Sequence, residues 1–134
     1  MHVWETKSGK DLQMSGYASK VREVAWCDAD PLLATGGAPT ITVWNFAGRG
    51  PAGKAPAQLT GHEARVTDLA FVPKTGRLVS VAEDRTLRVW QRGTTWKCIR
   101  HAEAVTPLHG LAVNSDGRRV AASGSDGRVT AWTL

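Results

Sequence analysis

The chain is poor in cysteine, in aromatics other than tryptophan, and in long apolar runs. It has only two cysteines in 134 residues, Cys27 and Cys98, which cannot make a disulfide framework or a metal site by themselves. Both stand beside apolar residues and read as buried, inert thiols. No apolar run approaches the roughly 20 residues that a membrane-crossing helix needs. No basic-then-apolar leader precedes a small-residue cleavage site, so the expected address is the cytoplasm. Helical periodicity is missing as well: apolar residues alternate or cluster in fours and fives, and Gly and Pro keep interrupting them. Also absent are a Gly-Lys-Ser/Thr phosphate loop, a His-Glu-x-x-His pair and a Cys-x-x-Cys pair. The four histidines, His2, His62, His101 and His109, have no ligand-like spacing. These absences predict a protein that is not an enzyme and uses no metal or cofactor. Net charge is +5, which permits acidic-protein or nucleic-acid contact. The cations are spread along the sequence, with no run longer than Arg118-Arg119, and read as a solvated surface.

What is present is a repeated design, clearest between Gly61 and Gln91. Three short apolar runs, Val66 to Phe71, Leu78 to Ala82 and Leu87 to Trp90, are separated by turn residues. Each is strand length and rich in β-formers. The stretch opens on Gly61-His62 and closes on Val89-Trp90-Gln91. Trp4, Trp44, Trp90 and Trp132 end four similar strand-like runs, with spacings of 40, 46 and 42 residues. A length of 134 residues is enough for one domain with a real core. A period in the forties, with several short strands per period and a Gly-His…Trp frame, marks propeller blades.

On these residues the chain resembles the WD40-repeat β-propeller family, although the usual Asp after Trp is here Glu5, Asn45, Gln91 or Thr133. The resemblance implies an all-β fold of four-stranded antiparallel blades, with strands lettered a to d outward from the central channel. It predicts about three blades' worth of repeat: a c–d half-blade at residues 1–15, blades at 16–60 and 61–100, and an a–b–c partial blade at 101–134. Within the first full blade, strand a is expected at Val21 to Trp26, b at Leu32 to Thr35, c at Ile41 to Trp44 and d at Ala57 to Thr60. In the second, strand d is expected at Trp96 to Arg100. A Gly/Pro/Ala-rich connector at 47–57 accounts for the longest period. Trp26 and Trp96 are expected to pack between blades.

The resemblance also implies a buried polar chain in each blade, running Asp–His–Ser/Thr–Trp. In the second blade it maps onto His62, Ser80, Asp84 and Trp90. The first blade offers Tyr17 in place of His, with Thr35 and Trp44, and no Asp in its Gly37-Ala38-Pro39 turn. The last offers His101, Asp126 and Trp132, with Ala122 at the Ser position and a connection three residues longer. A partial tetrad of this kind predicts uneven blade stability.

The family's partner face maps onto Lys20, Arg22, Arg65, Thr67, Glu83, Pro107, His109 and Ser125. Its mild basicity favours an acidic peptide, and the expected role is a non-catalytic protein-binding scaffold. The alternatives are a nucleic-acid-binding propeller using Lys20, Arg22, Arg65, Arg49 and Lys54, or a targeting fragment of a larger protein. Thirteen strands do not close a propeller of about seven blades, so association is expected. One route is a homo-oligomer, with the dimer favoured, in which the Asp11–Ser15 strand completes a neighbour's last blade. The other is that the chain is a piece of a longer propeller.

Overall fold

β-branched and aromatic residues at alternate positions, bounded by Gly, Pro and Asp turns, commit the chain to short strands. The computed structural model describes all of residues 1–134 and contains thirteen strands and no helix. The strands form four antiparallel sheets in chain order. Strands β1 (His2–Trp4) and β2 (Asp11–Gln13) pair alone as a half-blade. The first blade is β3 (Val24–Trp26), β4 (Leu32–Thr35), β5 (Ile41–Asn45) and β6 (Ala57–Leu59). The second is β7 (Val66–Phe71), β8 (Leu78–Ala82), β9 (Thr86–Arg92) and β10 (Trp96–Glu103). The last sheet has three strands, β11 (Leu108–Val113), β12 (Arg119–Gly124) and β13 (Val129–Thr133). No helix is long and apolar enough to cross a membrane.

Several boundaries differ from the sequence reading: β2 stops at Gln13 and not at Ser15, β5 runs to Asn45, and β6 stops at Leu59. Strand β3 starts at Val24, not Val21. Ahead of it the backbone bends around the Gly36-Gly37 turn, keeping only the bonds from Arg22 N–H to Gly36 O and from Gly36 N–H to Glu23 O. Gly37 is required there: its φ is +112°, and a Cβ would come within 2.5 Å of the Lys20 carbonyl. Strand β10 runs three residues past Arg100, because His101, Ala102 and Glu103 continue to pair with Arg88, Leu87 and Thr86. A bulge between Cys98 and Arg100 resets the register that makes this possible. Strand β9 is also longer than the apolar run that announced it, ending at Arg92.

Two cores lie between the blades, one on each side of the second. Leu32, Ile41 and Leu59 of the first blade pack on Leu69, Phe71, Leu78 and Trp90 of the second. On the opposite face, Val79, Val81, Leu87 and Val89 meet Leu108, Val120 and Ala122 of the last sheet. Every residue of β8 is buried, since it is an inner strand with a neighbouring sheet on each face. Trp96 is half-buried against the first core. Trp26 is not packed between blades as expected. It is 54% exposed and touches the Phe46 ring edge-on, with centroids 5.0 Å apart. The strand pair β1–β2 supplies no inner strands to cover it. Cys27 and Cys98 are free thiols, each only partly buried.

Candidate interaction surface and the hydrogen-bond chains beneath it

In the second blade the turns bring four side chains into a line. The indole N–H of Trp90 donates to Ser80 Oγ at 2.9 Å, and Ser80 Oγ lies 2.7 Å from His62 Nε2. His62 Nδ1 stands 3.0 Å from Asp84 Oδ2. One proton arrangement satisfies every member: Nδ1–H donates to Asp84, and Nε2 accepts the Ser80 hydroxyl proton. Burial lowers the His62 pKa below the usual imidazole range, although Asp84 pulls it upward, so the ring is neutral at neutral pH. Asp84 is itself shifted. Burial raises its pKa, but hydrogen bonds from Thr86, from the Glu63 and Thr86 backbone amides and from His62 outweigh this and hold it low. Asp84 therefore closes the b–c turn and fixes the start of the blade together.

A serine, a histidine and an aspartate in line resemble a hydrolytic triad. Here Ser80 is 0% exposed and already accepts from Trp90, so no substrate carbonyl can approach its oxygen. The geometry suits a brace, in which buried polar groups satisfy one another and rigidify the turn above them.

The first blade forms a shorter chain. Trp44 Nε1 donates to the Tyr17 hydroxyl at 2.7 Å, and Thr35 Oγ1 lies 3.4 Å from the same oxygen. Thr35 also bonds the Thr42 carbonyl at 3.2 Å. In the last sheet the structure does not bring the expected residues together. His101 is exposed on β10 opposite Arg88, because the three extra residues lengthen that strand and not the loop. Asp126 bonds only its own turn, through the Arg128 N–H at 3.0 Å and the Arg128 guanidinium at 3.4 Å. Trp132 packs on the second core, beside Ala122 at the position of Ser80.

The expected partner face splits the same way. Lys20, Arg22, His109 and Ser125 are exposed, and Pro107 is partly so. Arg65 is held by Glu83 at 2.7 Å, and that bond lowers the Glu83 pKa and raises the Arg65 pKa. Thr67 is not available to a partner. A bulge between Val66 and Asp68 turns it inward, where its hydroxyl donates to Val81 O at 3.2 Å and to Leu108 O of the next blade at 2.6 Å.

Sequence reasoning missed two residues. Thr86 donates to Asp84 Oδ1 at 2.7 Å, and the Asp-Arg-Thr turn spacing was the available signal. Asp68 accepts the Leu111 N–H at 2.9 Å and ties the second blade to the last. Its signal was a carboxylate inside an apolar strand. Its counterpart in the first blade, Glu23, has one carboxylate oxygen buried without a partner, and burial raises its pKa.

Comparison with known proteins matches this geometry. The family described as WD40, "WD domain, G-beta repeat", matches residues 10–45, 53–91 and 96–133. The chain is 29% identical over 126 residues to THO complex subunit 3 of Arabidopsis thaliana, covering 92% of this chain and 40% of that protein. It is 33% identical over 76 residues to the WD repeat and FYVE domain-containing protein 1 of Homo sapiens, covering 54% of this chain and 18% of that one. To the B-type cell cycle switch protein ccs52B of Medicago truncatula it is 36% identical over 93 residues, covering 67% and 18%. The chain therefore spans less than half the length of these curated relatives. With three repeats matched and the blades built as described, the chain belongs to the WD40 repeat family.

Proposed function

We propose that the chain is a non-catalytic WD40 scaffold that binds protein partners and completes its propeller by associating with a second copy. What carries the association is the pair of uncovered blade faces. Val24 and Trp26 are 58% and 54% exposed, yet they occupy the positions that Leu69 and Phe71 fill, buried, in the second blade. At the other end Val129 is 71% exposed on the outer face of the last sheet, beside Ala121 and Ala131. One end offers Val24 and Trp26 and the other Val129, Ala121 and Ala131, so both ends present apolar side chains of the kind that meet between blades within the chain. Contiguous apolar faces of this kind favour association, and a two-fold dimer is the commonest closed form.

Partner binding is assigned to the face carrying Lys20, Arg22, Arg65, Glu83, Pro107, His109 and Ser125, braced from below by the His62 chain. The net charge of +5 supports an acidic partner. The free thiols Cys27 and Cys98 fit a reducing compartment such as the cytoplasm. A second reading is favoured by the relatives' length: further blades of a longer chain would cover the same two faces.

Light scattering on a sizing column, over a tenfold dilution, separates the readings. A dilution-stable dimer supports self-completion. A monomer, or a smear of aggregates, overturns it in favour of the longer propeller.

A further inference from the structure

The positive charge of this chain is concentrated in one region. Residues 41–59 and 86–103 carry six of the 17 Lys and Arg and one of the 12 Asp and Glu, so the rest of the chain is net zero. Residues 41–59 are the outer strands of the first blade with their connector, and 86–103 are the outer strands of the second. The whole basic excess therefore lies on the outer wall of two adjacent blades. Arg49, Lys54, Arg92 and Lys97 take part in none of the ion pairs. On the loop face Lys20 and Arg22 are also outside every ion pair, while Arg65 is held by Glu83.

A groove of about 410 Å³ opens on that wall between the two blades. Leu32, Val43, Ala57 and Trp96 give it apolar sides, and Arg92 is its only charged residue. Strand β6 borders it and pairs only with β5, leaving one backbone edge unpaired. An unpaired edge accepts an added strand through main-chain hydrogen bonds, while a neighbouring pocket selects alternate side chains.

We propose that this groove docks an extended acidic peptide, which adds to the β6 edge, seats an aliphatic side chain against Trp96, and sets a carboxylate against Arg92. The proposal rests on the protein-binding reading and adds to its loop face a second site, on the outer wall, for an acidic segment of the partner. A nucleic-acid strand would match the charge but has no amide backbone for the strand edge and no aliphatic side chain for the groove.

The test is fluorescence anisotropy on the full chain with a labelled alternating Glu–Leu octapeptide, an alternating Gln–Leu control and an oligothymidylate. The Glu–Leu peptide is expected to bind most tightly and to weaken as salt rises. Arg92→Glu should weaken it at least about tenfold, and Lys20→Glu combined with Arg22→Glu less than about twofold. Both variants change exposed side chains, and circular dichroism reports whether each still folds. Loss through the Lys20 and Arg22 change alone would overturn the site and leave the protein-binding reading standing. Equal binding of the Gln–Leu control, tighter binding of oligothymidylate, or no binding of the Glu–Leu peptide would each overturn the proposal.

Discussion

The second blade and the last sheet share a strand pattern and a closing tryptophan, and they differ in what that tryptophan finds. Trp90 reaches Ser80, His62 and Asp84 in one unbroken chain. Trp132 has Ala122 where Ser80 would stand, Asp126 turned to its own loop and His101 on a different strand. Strand β8 is buried throughout, whereas most of β13 is exposed. A blade of this kind is held on two levels. Apolar packing against its neighbours sets where the sheet lies, and the polar chain locks the turns that carry its loop face. The last sheet has the first level on one face only, and little of the second.

The largest effect should come from breaking the complete chain. Ser80→Ala removes the acceptor of a buried indole N–H and the partner of a neutral, buried imidazole. Leaving such groups unpaired costs roughly 1–3 kcal/mol each, so a loss of about 2–3 kcal/mol is expected in urea unfolding. A loss below about 0.5 kcal/mol would mean that the chain is decorative. In the first blade, Tyr17→Phe deletes a hydroxyl that serves only Trp44 and Thr35, and Thr35 keeps its bond to Thr42. About 1 kcal/mol is expected there. Equal costs at Ser80 and Tyr17 would remove the distinction between a full and a shortened chain.

Acid should act on the second blade in two stages. Burial lowers the His62 pKa in the folded state, so below its ordinary 6.5 the unfolded chain takes up more protons. Stability then falls as pH drops from about 6.5. The Asp84 pKa is also lowered, so its contribution is present above 3.8 and is lost as pH falls below that value toward the folded pKa. Glu23 works the other way: its raised pKa makes its ionised form a burden above 4.5. Glu23→Gln should therefore raise the melting temperature at pH 7 and lose that advantage near pH 4. Melting curves from pH 8 to pH 3 on the wild type, His62→Gln and Glu23→Gln check all three signs.

The strands were legible because period-2 apolar runs and turn residues are local signals. β4, β7 and β8 fall where Leu32–Thr35, Val66–Phe71 and Leu78–Ala82 put them. The second blade's polar residues were legible as a set because four positions matched one motif. His101 shows the limit. Spacing alone cannot say whether extra residues lengthen a loop or a strand, and pairing with Arg88, together with the bulge after Cys98, decides it. Thr67 shows another. A bulge reverses which way a residue faces, and it reflects the next blade's surface more than the residue itself. The groove on the outer wall was invisible for a third reason. Its lining is drawn from Leu32, Val43 and Ala57 of the first blade and Arg92 and Trp96 of the second, which meet only when β6 and β10 come side by side.

The smallest effects test whether the last sheet can be repaired. His101→Ala removes an exposed side chain with no hydrogen bond and should change stability by less than about 0.5 kcal/mol. Ala122→Ser is more informative. It sets a hydroxyl on the strand residue that matches Ser80, within a sheet whose tryptophan faces the same core. If Trp132 can use that oxygen, the new bond offsets part of the cost of burying a hydroxyl, and the change is neutral or stabilising by up to about 1 kcal/mol. A destabilisation above about 1 kcal/mol would mean that the hydroxyl finds no donor. The indole of Trp132 would then be turned away from β12, and the last sheet would lack the geometry for the chain as well as its residues. Histidine is the remaining requirement. Ala104→His in the Ala122→Ser background places an imidazole four residues before β11, as His62 stands four residues before β7, at a residue that packs on the second core and lines the same hollow as Asp126. A gain from that pair larger than the sum of the two single changes is the expected sign that the chain has been rebuilt.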